Sequence, residues 1–181
     1  MENKTHKIIR RISITGPEST GKSALAEALA HHYQTEWAPE FARDYLSRLG
    51  RPYTEEDILT IARGQLMEEK RGFEKAVSFL FCDTELIVTK IWSEVKYQRC
   101  HPWILETIQT HPYDLFLLCD IDLPWEPDPL REHPDKRRFL YELYLNELTN
   151  RKFPFAVIRG TGPARLQNAI SAIGSFFHLN V

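Results

Sequence analysis

Eight consecutive residues, Gly16-Pro17-Glu18-Ser19-Thr20-Gly21-Lys22-Ser23, fit the pattern G-x-x-x-x-G-K-[ST]. Each fixed position has a chemical reason. Gly16 and Gly21 allow backbone turns that aim several N–H groups at phosphate oxygens. The helix that opens behind them adds the positive end of its dipole. Lys22 reaches the β- and γ-phosphates of ATP as a point charge, and Ser23 offers its hydroxyl to Mg2+. Nucleotide contacts are therefore expected from Gly16, Glu18, Ser19, Thr20, Gly21, Lys22, Ser23 and Ala24. A chance match arises in about one random chain of this length in a hundred at average residue usage. The setting, between a strand pattern and a helix pattern, makes accident rarer still.

A phosphotransferase also needs a second carboxylate for Mg2+, a group to orient the acceptor hydroxyl, and arginines to neutralise the transferring phosphoryl group. Asp83 ends an apolar run, at the strand end where ligands of open α/β sheets sit. Asp120 has a similar setting. Asp83 is favoured because its strand should neighbour the phosphate-loop strand; the other would be a loop-capping carboxylate. Glu40 and Arg43 follow a short strand at a helix start, where a carboxylate could hold a sugar hydroxyl. The plainer alternative is a first-turn Glu favoured by the helix dipole. Arg131, Arg137 and Arg138 lie at the far edge of a proline-rich stretch that reads as a lid over about residues 121–138. Trp92, Trp103 and Trp125 could stack on a heteroaromatic substrate, although each is also an ordinary packing residue.

Positioning these groups requires strands alternating with helices. Strands are predicted at Ile8 to Thr15, Thr35 to Ala38, Val77 to Cys82, Leu115 to Cys119 and Phe155 to Arg159. Helices are predicted at Lys22 to Tyr33, from Pro39 to near Gly50, after the Thr54/Asp57 cap, at Thr84 to Tyr97, Pro102 to Thr110, Pro134 to Thr149 and Ala164 to Phe176. Four prolines make 121–134 a loop. The alternation is that of an α/β fold with a parallel sheet.

The chain has 181 residues, enough for one domain with a proper core. A net charge of −2 gives no global attraction to nucleic acid or anionic membrane. No apolar stretch reaches the roughly 18 residues of a membrane span, and the polar Met1 to Lys7 does not read as a signal peptide. Cys82, Cys100 and Cys119 lack metal-ligand spacing and fit a reduced, cytoplasmic protein. Cys82 and Cys119 end apolar runs and are expected in the core. Neither the Asn-Lys-x-Asp nor the Asp-x-x-Gly segment of a regulatory GTPase occurs.

Taken together, several segments resemble the ribosylnicotinamide kinase domain of the bifunctional NAD-biosynthesis regulator proteins. They are Thr15 to Ser23, Pro39-Glu40-Phe41-Ala42-Arg43, Phe81-Cys82-Asp83-Thr84-Glu85, Asp122-Leu123-Pro124-Trp125 with Asp128-Pro129-Leu130-Arg131, and Ile158-Arg159-Gly160 with Arg165. The phosphate loop is generic; the second and fourth segments are more specific. The resemblance implies a three-layer P-loop fold with a five-stranded parallel sheet of order 2-3-1-4-5, spanning 1–181 as one kinase domain. It implies transfer of the ATP γ-phosphate to the 5′-hydroxyl of nicotinamide riboside. Glu40 and Asp83 would be the acidic residues near substrate and Mg2+, Arg131 a lid arginine, and Trp92 and Trp125 walls for the nicotinamide ring. The turn at Gly160 to Pro163, with Thr161 and Gly162, would lie against adenine. Two departures stand out: the chain has no room for the family's adenylyltransferase domain, and Pro129 stands where the lid often has glycine, which stiffens the backbone there. The competing readings are a nucleotide-dependent switch or regulatory ATPase, and a kinase for another nucleoside.

Overall fold

Phe79–Asp83 and Leu115–Cys119 are buried at every position, which strands achieve only when both faces of their sheet are covered. The computed structural model describes residues 8–179, and Met1 to Lys7 of the signal-peptide reading lie outside them. The elements run β1 (Arg10–Thr15), α1 (Lys22–His32), β2 (Glu36–Ala38), α2 (Phe41–Leu49), α3 (Glu55–Lys75), β3 (Phe79–Asp83), α4 (Leu86–Tyr97), α5 (Pro102–Thr110), β4 (Leu115–Cys119), α6 (Arg137–Asn150), β5 (Phe155–Ile158) and α7 (Gly162–Phe177). All described strand pairs are parallel, in the order β2-β3-β1-β4-β5.

Strand alternation builds two layers of core. Ile12, Ile14, Phe79, Phe81, Leu115 and Leu117 pack against Leu25 and Leu29 of α1 and Ile170 and Ile173 of α7. On the other face, Phe116 and Leu118 meet α3, α4, α5 and α6 through Ile58, Ile87, Ile104 and Tyr144. The sheet order places β1 between β3 and β4, so the loop after β1 sits beside the carboxyl ends of both neighbours. That is the crevice in which open α/β sheets bind ligands.

Most predicted elements are present with shifted ends. β3 starts at Phe79 rather than Val77, whose side chain is exposed, and it includes Asp83. The fourth helix starts at Leu86, because Thr84 has φ 69 and Glu85 caps the helix with its own carboxyl group. The expected Thr54/Asp57 signal is a reciprocal capping box that opens α3, and Gly50 ends α2 with φ 67. Cys82 and Cys119 are buried and unpaired. Among the described residues, no helix is long and apolar enough to cross a membrane.

Candidate active site

The turn between β1 and α1 carries three positive φ values: Gly16 at 131, Ser19 at 56 and Gly21 at 73. A Cβ on Gly16 would stand 2.9 Å from the Cys119 carbonyl oxygen, so only glycine fits against β4. Inside the loop, Lys22 Nζ and Thr20 Oγ1 donate to the Pro17 carbonyl at 2.7 and 2.8 Å. Arg165, almost fully buried, holds the loop from behind. One guanidinium nitrogen donates to the carbonyls of Thr20 and Asp120 at 2.9 and 3.0 Å; the other donates to Asp122 Oδ1 and the Gly160 carbonyl, both at 2.7 Å.

A cleft of about 680 Å3 opens from this loop. Lys22, Ser23 and Ala24 line one part of it, Glu40 and Arg43 another, and Arg131 of the 121–138 segment a third. Val88, Ile91, Trp92, Val95, Leu140, Tyr144 and Tyr53 form an aliphatic and aromatic wall. Asp83 lies behind this surface, only 2% exposed. Burial, followed by the negative charge of Glu40, pushes its carboxyl up to about 6, while the Ser23 hydroxyl, Lys22 and Arg43 pull the other way. Its Oδ1 is buried without a hydrogen-bond partner. Asp120 is engaged elsewhere, accepting from Arg159 Nε and from the Ile121 amide at 2.7 Å each.

The 121–138 segment is docked on the phosphate loop. The Glu18 carboxylate accepts the amides of Glu132 and His133 at 3.3 and 3.2 Å. Ser19 Oγ accepts the Glu126 amide at 2.9 Å, and Arg137 donates to the Ser19 carbonyl at 3.0 Å. Arg43 pairs with Asp128 at 2.9 Å, which links α2 to the same segment. Pro129 occupies the second position of a turn in which the Arg131 amide donates to the Asp128 carbonyl at 3.0 Å and the Leu130 amide to Asp128 Oδ1 at 2.9 Å. Aspartate followed by proline is a favoured opening for such a turn, so the stiffness expected there serves a compact turn.

Besides Asp83, four expected contact residues lie off the cleft. Trp125 does not line it; the Arg131 guanidinium lies over its ring at 6.0 Å. Thr161 and Gly162 are exposed and also outside the lining, although Arg165 and Asp122 pin the adjoining Gly160 beside the phosphate loop. Trp103 on α5 carries Arg63 over its ring at 5.2 Å. Sequence reasoning assigned no role to Tyr53, which joins the wall to the 121–138 segment: Trp92 Nε1 donates to its hydroxyl at 2.8 Å, and that hydroxyl donates to Glu132 at 2.7 Å. It passed over Gln65 and quoted Glu85 without giving it a role; both are buried polar residues.

A parallel 2-3-1-4-5 sheet with a glycine-rich loop between β1 and α1 defines a three-layer P-loop nucleotide-binding protein. A family model described as an AAA domain matches residues 11–165, and the chain belongs to that family. It is 31% identical over 129 residues to the trifunctional NAD biosynthesis/regulator protein NadR of Salmonella typhimurium (strain LT2). That alignment covers 68% of this chain and 31% of the relative, so the chain spans well under half of the relative's length. Among solved structures, a NadR protein in complex with NR superposes with a TM-score of 0.80 at 20% identity, covering 95% of this chain and 52% of that one. A deoxyadenosine kinase from M. mycoides superposes with a TM-score of 0.61 at 12% identity, over 91% of this chain and 99% of that one. Such remote likenesses speak to the fold.

Proposed function

We propose that the chain is an ATP-dependent kinase that phosphorylates the 5′-hydroxyl of nicotinamide riboside to nicotinamide mononucleotide, with residues 121–138 as its lid. The observation that carries the reading is one cleft lined by the phosphate-loop lysine, a carboxylate free of capping duty at Glu40, and an apolar aromatic wall. The similarity to NadR supports the choice of acceptor.

In this reading Lys22 holds the phosphate chain. Glu40 lines the cleft without a capping bond, whereas Glu18, Asp128 and Glu132 are engaged by a backbone amide, Arg43 and Tyr53, so in this reading Glu40 orients the acceptor hydroxyl. The acceptor oxygen bonds to the γ-phosphorus, the bond to the bridging oxygen of ADP breaks, and the hydroxyl proton passes to Glu40. Arg131 and the Arg43–Asp128 pair keep the lid against the loop and exclude water. Ser23 and Asp83 suit a hard cation, since Asp83 Oδ1 is buried without a partner beside the Ser23 hydroxyl. Mg2+ there would neutralise charge on the β- and γ-phosphates. Among the described residues no cluster of three or more His, Cys, Asp or Glu side chains is placed to hold a metal, which fits an ion that arrives with the nucleotide. Two buried, unpaired thiols, at Cys82 and Cys119, agree with a cytoplasmic location.

The test is ADP release by purified protein with ATP and Mg2+ across a panel of nucleosides. Nicotinamide riboside should stimulate it most. Turnover with a different nucleoside alone would refute the acceptor and keep the kinase. ATP hydrolysis indifferent to every nucleoside would favour the regulatory ATPase.

A further inference from the structure

Helix α2 carries Glu40 at its N-terminus, yet no residue of α2 is buried. A helix with so little packing needs other means to hold its start. Two adjacent residues in the middle of α3 supply them. Gly64 lets the Phe41 ring lie on the α3 backbone: a Cβ there would fall 2.2 to 2.5 Å from three ring atoms. A helix-interior glycine costs about 1 kcal/mol relative to alanine, so its place needs a packing reason, and Phe41 is that reason.

Gln65, next along, is 2% exposed. Its Oε1 accepts the Phe41 amide at 2.9 Å, and its Nε2 donates to the Pro39 carbonyl at 3.3 Å and the Asp83 carbonyl at 3.4 Å. One carboxamide therefore holds the backbone on both sides of Glu40 and the backbone of Asp83. The Phe41 amide is the first unpaired donor of α2, and Gln65 satisfies it from outside the helix. Glu40 makes no side-chain capping bond, so its carboxylate faces the cleft instead.

We propose that Gln65 is a positioning residue for phosphoryl transfer: its carboxamide fixes Glu40 and Asp83, which stand on different elements, in one relation across the site. The role rests on the kinase reading above. Gln65 makes no hydrogen bond to the phosphate loop, so its loss misplaces Glu40 and Asp83 while the loop's own backbone geometry stays intact. Small misplacements of this kind cost about tenfold to a hundredfold in rate.

The experiment compares Gln65→Met, which keeps the shape and loses all three bonds, with Gln65→Glu, which keeps an acceptor for the Phe41 amide and loses the paired donors. Expected is a fall in kcat of about tenfold or more for Gln65→Met, an intermediate fall for Gln65→Glu, and retained ATP-induced thermal stabilisation in both. Wild-type kcat in a folded variant lacking the bonds overturns the proposal. So does loss of ATP-induced thermal stabilisation together with turnover, or collapse of both variants, since either assigns Gln65 to general stability. If the wild-type protein turns over no nucleoside, the kinase reading fails by itself. The positioning role is then decided by carbon-13 spectra of the side-chain carboxyls and by hydrogen exchange. Gln65→Met must shift the Glu40 and Asp83 resonances and unprotect the Phe41 amide; unmoved resonances overturn it.

Discussion

Glu85 is 1% exposed and sits directly under the root of the phosphate loop. Its Oε1 accepts the Thr15 hydroxyl at 2.9 Å, and its Oε2 accepts the Ile87 amide that opens α4. Burial pushes its carboxyl from an ordinary value of 4.5 up to about 8, against the pull of those two hydrogen bonds. The folded protein thus keeps a proton between about pH 4.5 and about pH 8 that the unfolded chain has released. Protons bound in excess by the folded state make stability fall as pH rises. The loss begins above the unfolded value and is complete above the folded one. At about 1.4 kcal/mol per pH unit, the full window amounts to about 5 kcal/mol, a large share of a typical domain's stability. The substitution Glu85→Gln mimics the protonated acid: the new amide oxygen accepts the Ile87 amide, and the NH2 donates to Thr15 Oγ1, whose own proton is free to turn away. Urea unfolding of wild-type protein and Glu85→Gln, without nucleotide, at several pH values from about 5 to about 9 gives the comparison. The two should be close in stability at the acid end, with the variant ahead by several kcal/mol at the alkaline end. Asp83, raised to about 6 from 3.8, has the same sign over a lower window, but it is common to both proteins and drops out of the difference. Parallel curves across the range would mean that Glu85 is ionised in the fold, and would refute the burial argument.

In the proposed kinase, Lys22→Ala removes the charge assigned to the β- and γ-phosphates, and should lower turnover by about a hundredfold or more with the thermal melt little changed; near-normal turnover would remove Lys22 from the mechanism. Asp83 must be ionised to take a cation, so apparent affinity for Mg·ATP should weaken as pH falls below about 6, and Asp83→Asn should lose that dependence; titration calorimetry in buffers of different pH reads both. Asp57 accepts from Thr54, Arg51 and Tyr45 at the start of α3, and the Arg51 hydrogen bond above all holds its carboxyl well below the usual range. Its stabilisation is present above the unfolded value near 3.8 and is lost as pH falls through the lower folded one; Asp57→Ala should cost about 1 to 2 kcal/mol in urea unfolding at neutral pH.

The elements that hold the site were legible where the signal is local. Apolar runs ending in Asp83 and Cys119 marked the two inner neighbours of the sheet, and Thr54 with Asp57 marked the start of α3. Ends drifted where a backbone choice depended on partners far along the chain. Val77 is as apolar as any β3 residue, but β1 begins its pairing at Arg10 opposite Phe79, so Val77 stays exposed. Thr84 belongs to neither strand nor helix: its amide still donates to the Ile14 carbonyl at 3.0 Å, as the last rung to β1, and its φ of 69 then turns the chain out of β3. Gln65 was illegible for a related reason. A glutamine on a helix is ordinary until Phe41, 24 positions earlier, is laid against it. The glycine before it was the one local hint.

The phosphate loop itself shows why a motif understates its residues. In G-x-x-x-x-G-K-[ST] the four middle positions carry no side-chain requirement, because backbone amides do the phosphate binding. Side chains there are free for other partners, and here they take the 121–138 segment. Glu18 would place a carboxylate beside phosphate charge, yet its oxygens accept the amides of Glu132 and His133. Ser19, with its strained φ of 56, presents its hydroxyl to the Glu126 amide and its carbonyl to Arg137. The unspecified positions thus fix where the 121–138 segment docks, and that docking places Asp128 against Arg43 and Glu132 against Tyr53. The phosphate loop and the 121–138 segment are joined through side chains that the motif leaves blank, and Tyr53 carries the connection on to the aromatic wall.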